Sequence, residues 1–383
     1  MKIGYDGKRA LSNMTGLGNY SRLIIESVAR EFPADDLIVY APKPQENPRI
    51  SSWKECPNII CRFPKEREAR WGKSLWRSYG VTKALREEGI DLYHGLSNEL
   101  PLNIVKAGLP TVVTIHDVIY RTLPYCYKGI DRLLYDYKYG HACRNASAII
   151  AISECTKRDV MRYYGVPEEK ITVIYQGCDP SFRVANDREE WERDREVRKS
   201  LSLPEKYLVQ VGTIERRKNA LLSVKALGGI ADKSIHLILI GRPTPYLDEV
   251  MKEARKLGVE HRIQVRSDIP FAQLPAVVRG AEISLYPSRY EGFGLPVLEA
   301  ISCGVPVIAA TGSCLEEAGG EKSIYVGPDD VEAMREAIDT LLSDKAKREE
   351  MVEAGLRHAS RFSNDTVAAN TRLLYDRLLR TVI

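Results

Sequence analysis

The feature that most restricts the fold is an alternation that runs along almost the whole chain and does so twice. Short apolar segments are separated by longer amphipathic ones, which calls for parallel strands joined by helices in an α/β protein. In the first half, strands are expected at Lys2 to Tyr5, Leu37 to Tyr40, Asn58 to Arg62, Leu92 to His94, Thr111 to Ile115, Ala148 to Ile152 and Thr172 to Tyr175. After Asp179 the pattern breaks. Asn186 to Ser200 is dense in opposite charges three or four residues apart, and reads as a solvated helix between domains. The series then restarts at Tyr207 to Val211, His236 to Ile240, Ile263 to Val265, Ile283 to Tyr286, Val305 to Ala309 and Ser323 to Tyr325. Helices over Val331 to Ser343, Lys345 to Arg361 and Asp365 to Arg380 close the chain.

The expected architecture is therefore two doubly wound Rossmann-like domains, residues 1–185 and 186–363, with a last helix, 364–383, crossing back to the first domain. At 383 residues, 44% hydrophobic and 28% charged, the chain is long enough for two cores. Ligands of open α/β sheets bind at the carboxyl ends of the strands, so the active site is expected in a cleft where the two sheets face each other.

Charge is uneven. The net charge is +4, but residues 1 to 180 hold 26 Lys and Arg against 21 Asp and Glu, and the remainder holds 30 against 31. Arg62 to Arg86 carries eight basic residues and two acids, with Phe63, Trp71, Trp76 and Tyr79 interleaved. Two readings stand level: contact with an anionic membrane or a phosphate-bearing acceptor, or a solvated helix whose Trp residues pack inward. Nucleic acid is not expected, because no fold signature for it is present. The eight cysteines form no metal-binding spacing, and with no signal peptide and no membrane-spanning apolar run the protein is expected in the cytoplasm.

Ser288 to Glu299 (S-R-Y-E-G-F-G-L-P-V-L-E) holds the densest chemistry. Gly292, Phe293, Gly294 and Leu295 lead from a strand into a helix that would begin at Pro296, and such a helix start presents unpaired N–H groups to an anion. Glu291 before the turn and Glu299 one turn inside the helix are poor partners for phosphate; carboxylates there suit hydroxyl groups. A diphosphate with hydroxyls on both sides meets these demands, and nucleotide sugars are such ligands. Near the N-terminus, Gly16-Leu17-Gly18 opens a helix after the first strand, with Ser21 where a dinucleotide fingerprint needs glycine. His116 and Asp117 end a buried-looking strand, and His94 to Glu99 end another that could line an acceptor. Gly212-Thr213 and the cations Arg216, Arg217 and Lys218 follow the first strand of the second series, placed to meet a diphosphate.

Together these residues resemble the glycosyltransferase family 4 enzymes, retaining nucleotide-sugar transferases with the GT-B fold. Glu291 and Glu299 match the family's E-x7-E motif, Arg217-Lys218 lie where it has phosphate-binding cations, and Gly16 to Gly18 where it has its N-terminal diphosphate loop. His116 matches the family's histidine near the sugar, and Ala151 to Glu154 and Val173 to Gly177 extend the likeness. The chain departs from the family at Thr213 and Arg217, where many relatives carry Arg and Glu. The resemblance implies hexose transfer by front-face attack, the leaving phosphate assisting deprotonation of a glycan or lipid-linked acceptor. Arg217, Lys218, Glu291 and His116 are the implied catalytic residues, and no metal or other cofactor is expected. Subgroups sharing the G-T-x-E-x-R-K-N pattern point to GDP-mannose. An epimerase or phosphorylase on the same fold, or a non-catalytic nucleotide-sugar-binding protein, is the alternative.

Overall fold

A computed structural model of the protein describes residues 1–69 and 72–380. Its chain divides into two compact units, Met1–Gly177 with Phe362–Ile383, and Cys178–Arg361.

The first unit is built on seven parallel strands: β1 (Lys2–Asp6), β2 (Asp36–Tyr40), β3 (Ile59–Arg62), β4 (Leu92–Gly95), β5 (Thr111–Ile115), β6 (Ala148–Ala151) and β7 (Ile171–Val173). Their order is β3-β2-β1-β4-β5-β6-β7. Runs such as Leu-Ile-Val-Tyr in β2 are apolar throughout because helices cover both faces of the sheet. The second unit repeats the scheme with β8 (Tyr207–Val211), β9 (His236–Ile240), β10 (Ile263–Arg266), β11 (Ile283–Tyr286), β12 (Val307–Ala310) and β13 (Ile324–Val326), in the order β10-β9-β8-β11-β12-β13. Both orders reverse direction beside the first strand, between β1 and β4 and between β8 and β11. Those are the switch points where strand ends diverge and leave room for a ligand. Every strand expected from the apolar pattern is present, with no end shifted by more than two residues.

The helix Asn364–Arg380 packs on the helix Gly16–Glu31 of the first unit. Tyr375 is its buried anchor: its hydroxyl lies 2.6 Å from His94 Nδ1 and donates to Tyr5 Oη at 3.3 Å. His94 is thereby a core residue, fully buried, with Nε2 at 2.8 Å from Thr114 Oγ1. The acceptor-lining role expected for it gives way to a structural one. Burial, with some help from His116, lowers its pKa to about 3, so it is neutral.

Two other expectations change. The charged helix Arg188–Ser200 falls inside the second unit and is not solvated all round. Its Asp194 is buried and accepts a fork of bonds from Arg279, at 2.6 and 2.8 Å, which fastens the helix to the helix Leu274–Arg279. In the basic segment, Trp76 is buried and Arg77 bridges Asp6 and Glu99, each at 2.5 Å, while Arg62 donates to Glu88 at 2.6 Å. These residues support the packed reading. Lys65, Lys83 and Arg86 stay exposed, and Arg70 and Trp71 lie outside the described residues.

Candidate active site

In the second unit, β8 ends at Val211, and Gly212 and Thr213 lead to a single 3-10 turn, Arg216–Lys218. Asn219, in the left-handed region at φ 56°, turns the chain into the next helix; Asn tolerates that conformation better than other side chains do. The turn is stitched to the loop after β11. Arg289 N donates to Arg217 O at 2.8 Å and Asn219 Nδ2 donates to Pro287 O at 3.3 Å, while the same Nδ2 also donates to Pro328 O, beyond β13, at 2.7 Å.

This stitching brings Glu291 against both cations. Its Oε1 forms an ion pair with Arg217 Nη1 at 2.7 Å and accepts from Ser288 Oγ at 2.5 Å, from Tyr286 Oη at 3.2 Å and from Lys218 Nζ. None of the described residues bonds Oε2. Burial pushes the carboxyl pKa up, but Lys218 and Arg217 outweigh it and hold it at about 2, so Glu291 is ionised at any working pH. Arg217 is fixed further by Tyr290 O at 2.9 Å and Glu215 at 2.8 Å. For Lys218, burial lowers the pKa more than the carboxylate restores it. The cation–acid contact is absent from the sequence-level reading, which gave the cations to phosphate and the acid to sugar without joining them.

Gly294 caps the following helix, Leu295–Ser302, at φ 108°, and a Cβ there would meet Leu315 Cδ2 at 2.6 Å. Glycine is thus required at this turn. Phe293 is buried and anchors the turn in the core, and Gly292 beside it is buried too. Pro296 has no N–H to leave unpaired, and the amide of Leu295 has no partner among the described residues. Glu299, one turn on, differs from Glu291 in every respect. It is half-buried, no described residue bonds its carboxylate, and burial together with Asp179 raises its pKa to about 7.

In the first unit, His116 follows β5. Its backbone N–H donates to Asn98 Oδ1 at 2.6 Å, its Nε2 lies 2.9 Å from Leu96 O, and its ring packs edge-on against Tyr20 at 4.6 Å. Asn98 itself is held at φ 63°, a left-handed conformation stored beside the histidine. Burial, then Arg9, outweigh the Leu96 bond and lower the His116 pKa to about 4, leaving a neutral ring. The half-buried Asp117 accepts from Ile119 N at 3.2 Å, closing a turn.

Gly16, Leu17 and Gly18 form the first turn of the helix Gly16–Glu31. The amides of Gly16 and Leu17 have no partner among the described residues, and a Cβ on Gly16 would meet nothing. Gly18 differs: its N–H already donates to Thr15 O at 2.9 Å and Asn13 Oδ1 at 3.2 Å, and a Cβ would strike Asn13 O at 1.9 Å. Its glycine serves chain packing.

Known proteins resemble this chain in sequence and in fold. Residues 192–358 match the family described as Glycosyl transferases group 1, and residues 23–182 match Glycosyltransferase Family 4. An O-antigen chain mannosyltransferase B of Escherichia coli is 30% identical over 97% of this chain and 98% of its own. The chain belongs to the group 1 glycosyltransferases. This glycosyltransferase is also 32% identical, over 61% of its length and 57% of the relative's, to a D-inositol 3-phosphate glycosyltransferase of Corynebacterium glutamicum. Among solved structures, Anabaena Alr3699/HepE in complex with UDP and glucose superposes with TM-score 0.76 over 99% of this chain and 100% of that one, at 18% identity. WaaG, a glycosyltransferase involved in lipopolysaccharide biosynthesis, gives TM-score 0.70 over 99% of each chain at 19% identity. The fold is GT-B.

The helpers missed at the sequence level are Ser288, Tyr286, Asn98 and Asp179. Ser288 lies inside the motif stretch and Asn98, beside His116, inside His94 to Glu99; Tyr286 reaches Glu291 from the end of β11, and Asp179 acts on Glu299 from a loop far away in sequence.

Proposed function

We propose that this glycosyltransferase moves a hexose, with retention, from a nucleotide-diphosphate sugar to a glycan or lipid-linked acceptor in surface polysaccharide synthesis. Mannose is the favoured sugar, supported by the sequence pattern and by the names of the E. coli relative and of an MMP alpha-(1->4)-mannosyltransferase of Mycolicibacterium hassiacum, 26% identical over 73% of this chain. One observation carries the reading: a buried carboxylate whose Oε1 is clamped by two cations while Oε2 is left for a sugar hydroxyl.

In this reading, Arg217 and Lys218 stabilise the charge that grows on the leaving diphosphate, together with the helix-start amide of Leu295. Gly212 and Thr213 lie alongside at the end of β8, and Gly292, Phe293 and Gly294 shape the turn. Glu291 Oε2 orients the sugar, and Glu299 accepts from the ribose hydroxyls. From the first unit, the amides of Gly16 and Leu17 meet the diphosphate, Gly18 shapes that turn, and His116, ringed by Asn98 and Asp117, meets a sugar hydroxyl. The reaction takes place in the cytoplasm, where nucleotide sugars are made, and needs no metal for phosphate binding.

The test is slow hydrolysis of a panel of UDP-, GDP- and ADP-sugars without acceptor, followed by proton NMR of the freshly released sugar. GDP-mannose giving α-mannose first is the expected result. Release of the β anomer, or no hydrolysis and no transfer with any donor, would overturn the proposal.

A further inference from the structure

The helix Gly129–Asn145 presents an apolar stripe to solvent. Ile130, Leu133, Leu134 and Tyr137 recur at i, i+3, i+4 and i+7, which puts them on one face, and they are between 49% and 76% exposed. Tyr125, just before the helix, is 67% exposed. Monomeric soluble proteins seldom leave such a stripe uncovered. The other half of the helix behaves normally: Gly140, Ala142 and Cys143 are buried in the core of the unit.

Direction gives the stripe a meaning. The helix runs back from the end of β5 to the start of β6, so its first half lies toward the carboxyl ends of the parallel strands. That is the end of the unit where His116 and the Gly16 helix start are found. Lys128 and Arg132 flank the stripe, both exposed, and neither pairs with an acid among the described residues. Asp131, between them in sequence, lies in the first turn of the helix, where the helix dipole favours it. Arg121 is already paired with Asp136, at 2.7 Å. No helix among the described residues is long and apolar enough to cross a membrane, so any bilayer contact of theirs would be peripheral.

We propose that this face docks on an anionic lipid bilayer, with Ile130, Leu133 and Leu134 entering the acyl boundary, Tyr125 and Tyr137 at headgroup level, and Lys128 and Arg132 on lipid phosphates. The contact differs from the one weighed for Arg62 to Arg86, whose Trp76 and Arg77 are taken up inside the unit. A bilayer is favoured over a second copy because the unpaired charges beside the stripe are mostly of one sign and complement an anionic surface. The docking brings the strand-end face of the first unit toward the membrane, where a lipid-linked acceptor would be presented. It stands independently of which donor is used.

The test is co-sedimentation of the full chain with vesicles of phosphatidylethanolamine and phosphatidylglycerol, and with vesicles of phosphatidylcholine. The wild type should pellet with the anionic vesicles and remain largely in solution with the neutral ones. The double variant Ile130→Glu/Leu133→Glu should lose about ten-fold or more in bound fraction, and Lys128→Ala/Arg132→Ala should lose less and lose its salt sensitivity. Both variants alter exposed side chains, and an unchanged thermal melt shows that the fold is intact. Wild-type protein that stays in solution with anionic vesicles, or a double variant that binds as well as wild type, would overturn the proposal. So would a wild-type dimer by light scattering that the Glu substitutions dissociate, since the face would then belong to a second copy.

Discussion

Glu291 and Glu299 belong to one short motif, yet their surroundings are opposites. The loop around Glu291 crowds donors onto one oxygen and holds its pKa at about 2. The helix around Glu299 offers the acid no bond and lets burial raise its pKa to about 7. The first is a fixed negative charge that organises two cations; the second is poised to gain or lose a proton at working pH. A single linear motif thus supplies two different tools, because one acid precedes the helix start and meets a neighbouring loop while the other lies inside the helix.

The largest way to break that contrast is at Glu291. Glu291→Gln keeps the shape and removes the charge, and should lower kcat by about 100- to 1,000-fold in a transfer or hydrolysis assay. Glu291→Ala is a poorer probe, because it leaves Arg217 and Lys218 buried without their partner, at a cost of about 3–5 kcal/mol in stability by denaturant unfolding. Next comes Glu299. If its carboxylate accepts ribose hydroxyls, it does so best when ionised, so the donor KM should fall as pH rises from 6 to 8. Glu299→Gln should raise the donor KM about ten-fold and flatten that pH dependence, read from initial rates across pH. Glu291 remains charged over this window and contributes nothing to the slope.

The smallest effect on turnover, though not on stability, is expected at His94. Both histidines follow the same sequence logic, ending neighbouring strands, but His94 binds Tyr375 and Thr114 inside the core. His94→Phe should cost about 1–3 kcal/mol in stability and leave kcat of the folded enzyme unchanged. His116→Ala should instead lower kcat by about ten-fold or more, as expected for a lost hydrogen bond to the reacting sugar. A thermal melt beside a rate measurement separates the two.

The strands were legible because β-branched and aliphatic runs buried on both faces leave a signal in the chain itself. The glycine turns and the two acids were legible for a similar reason: a strand-to-helix turn is a local event. What sequence could not disclose were pairings across long separations. Arg77 looks like a surface cation until β1 supplies Asp6, and His94 looks functional until the last helix supplies Tyr375. Asp194 looks like one charge among many on a solvated helix until Arg279 reaches it. The same holds in the site, where Lys218 and Glu291 meet only because the turn after β8 is stitched to the loop after β11.

The most direct test of these divided roles is a kcat and donor KM determination for Glu291→Gln and Glu299→Gln, measured side by side on one donor. A collapse of kcat with little change in KM for the first, and a raised KM with kcat nearly retained for the second, is the expected outcome. Wild-type turnover in Glu291→Gln, or the same parameter moving equally in both variants, would contradict it.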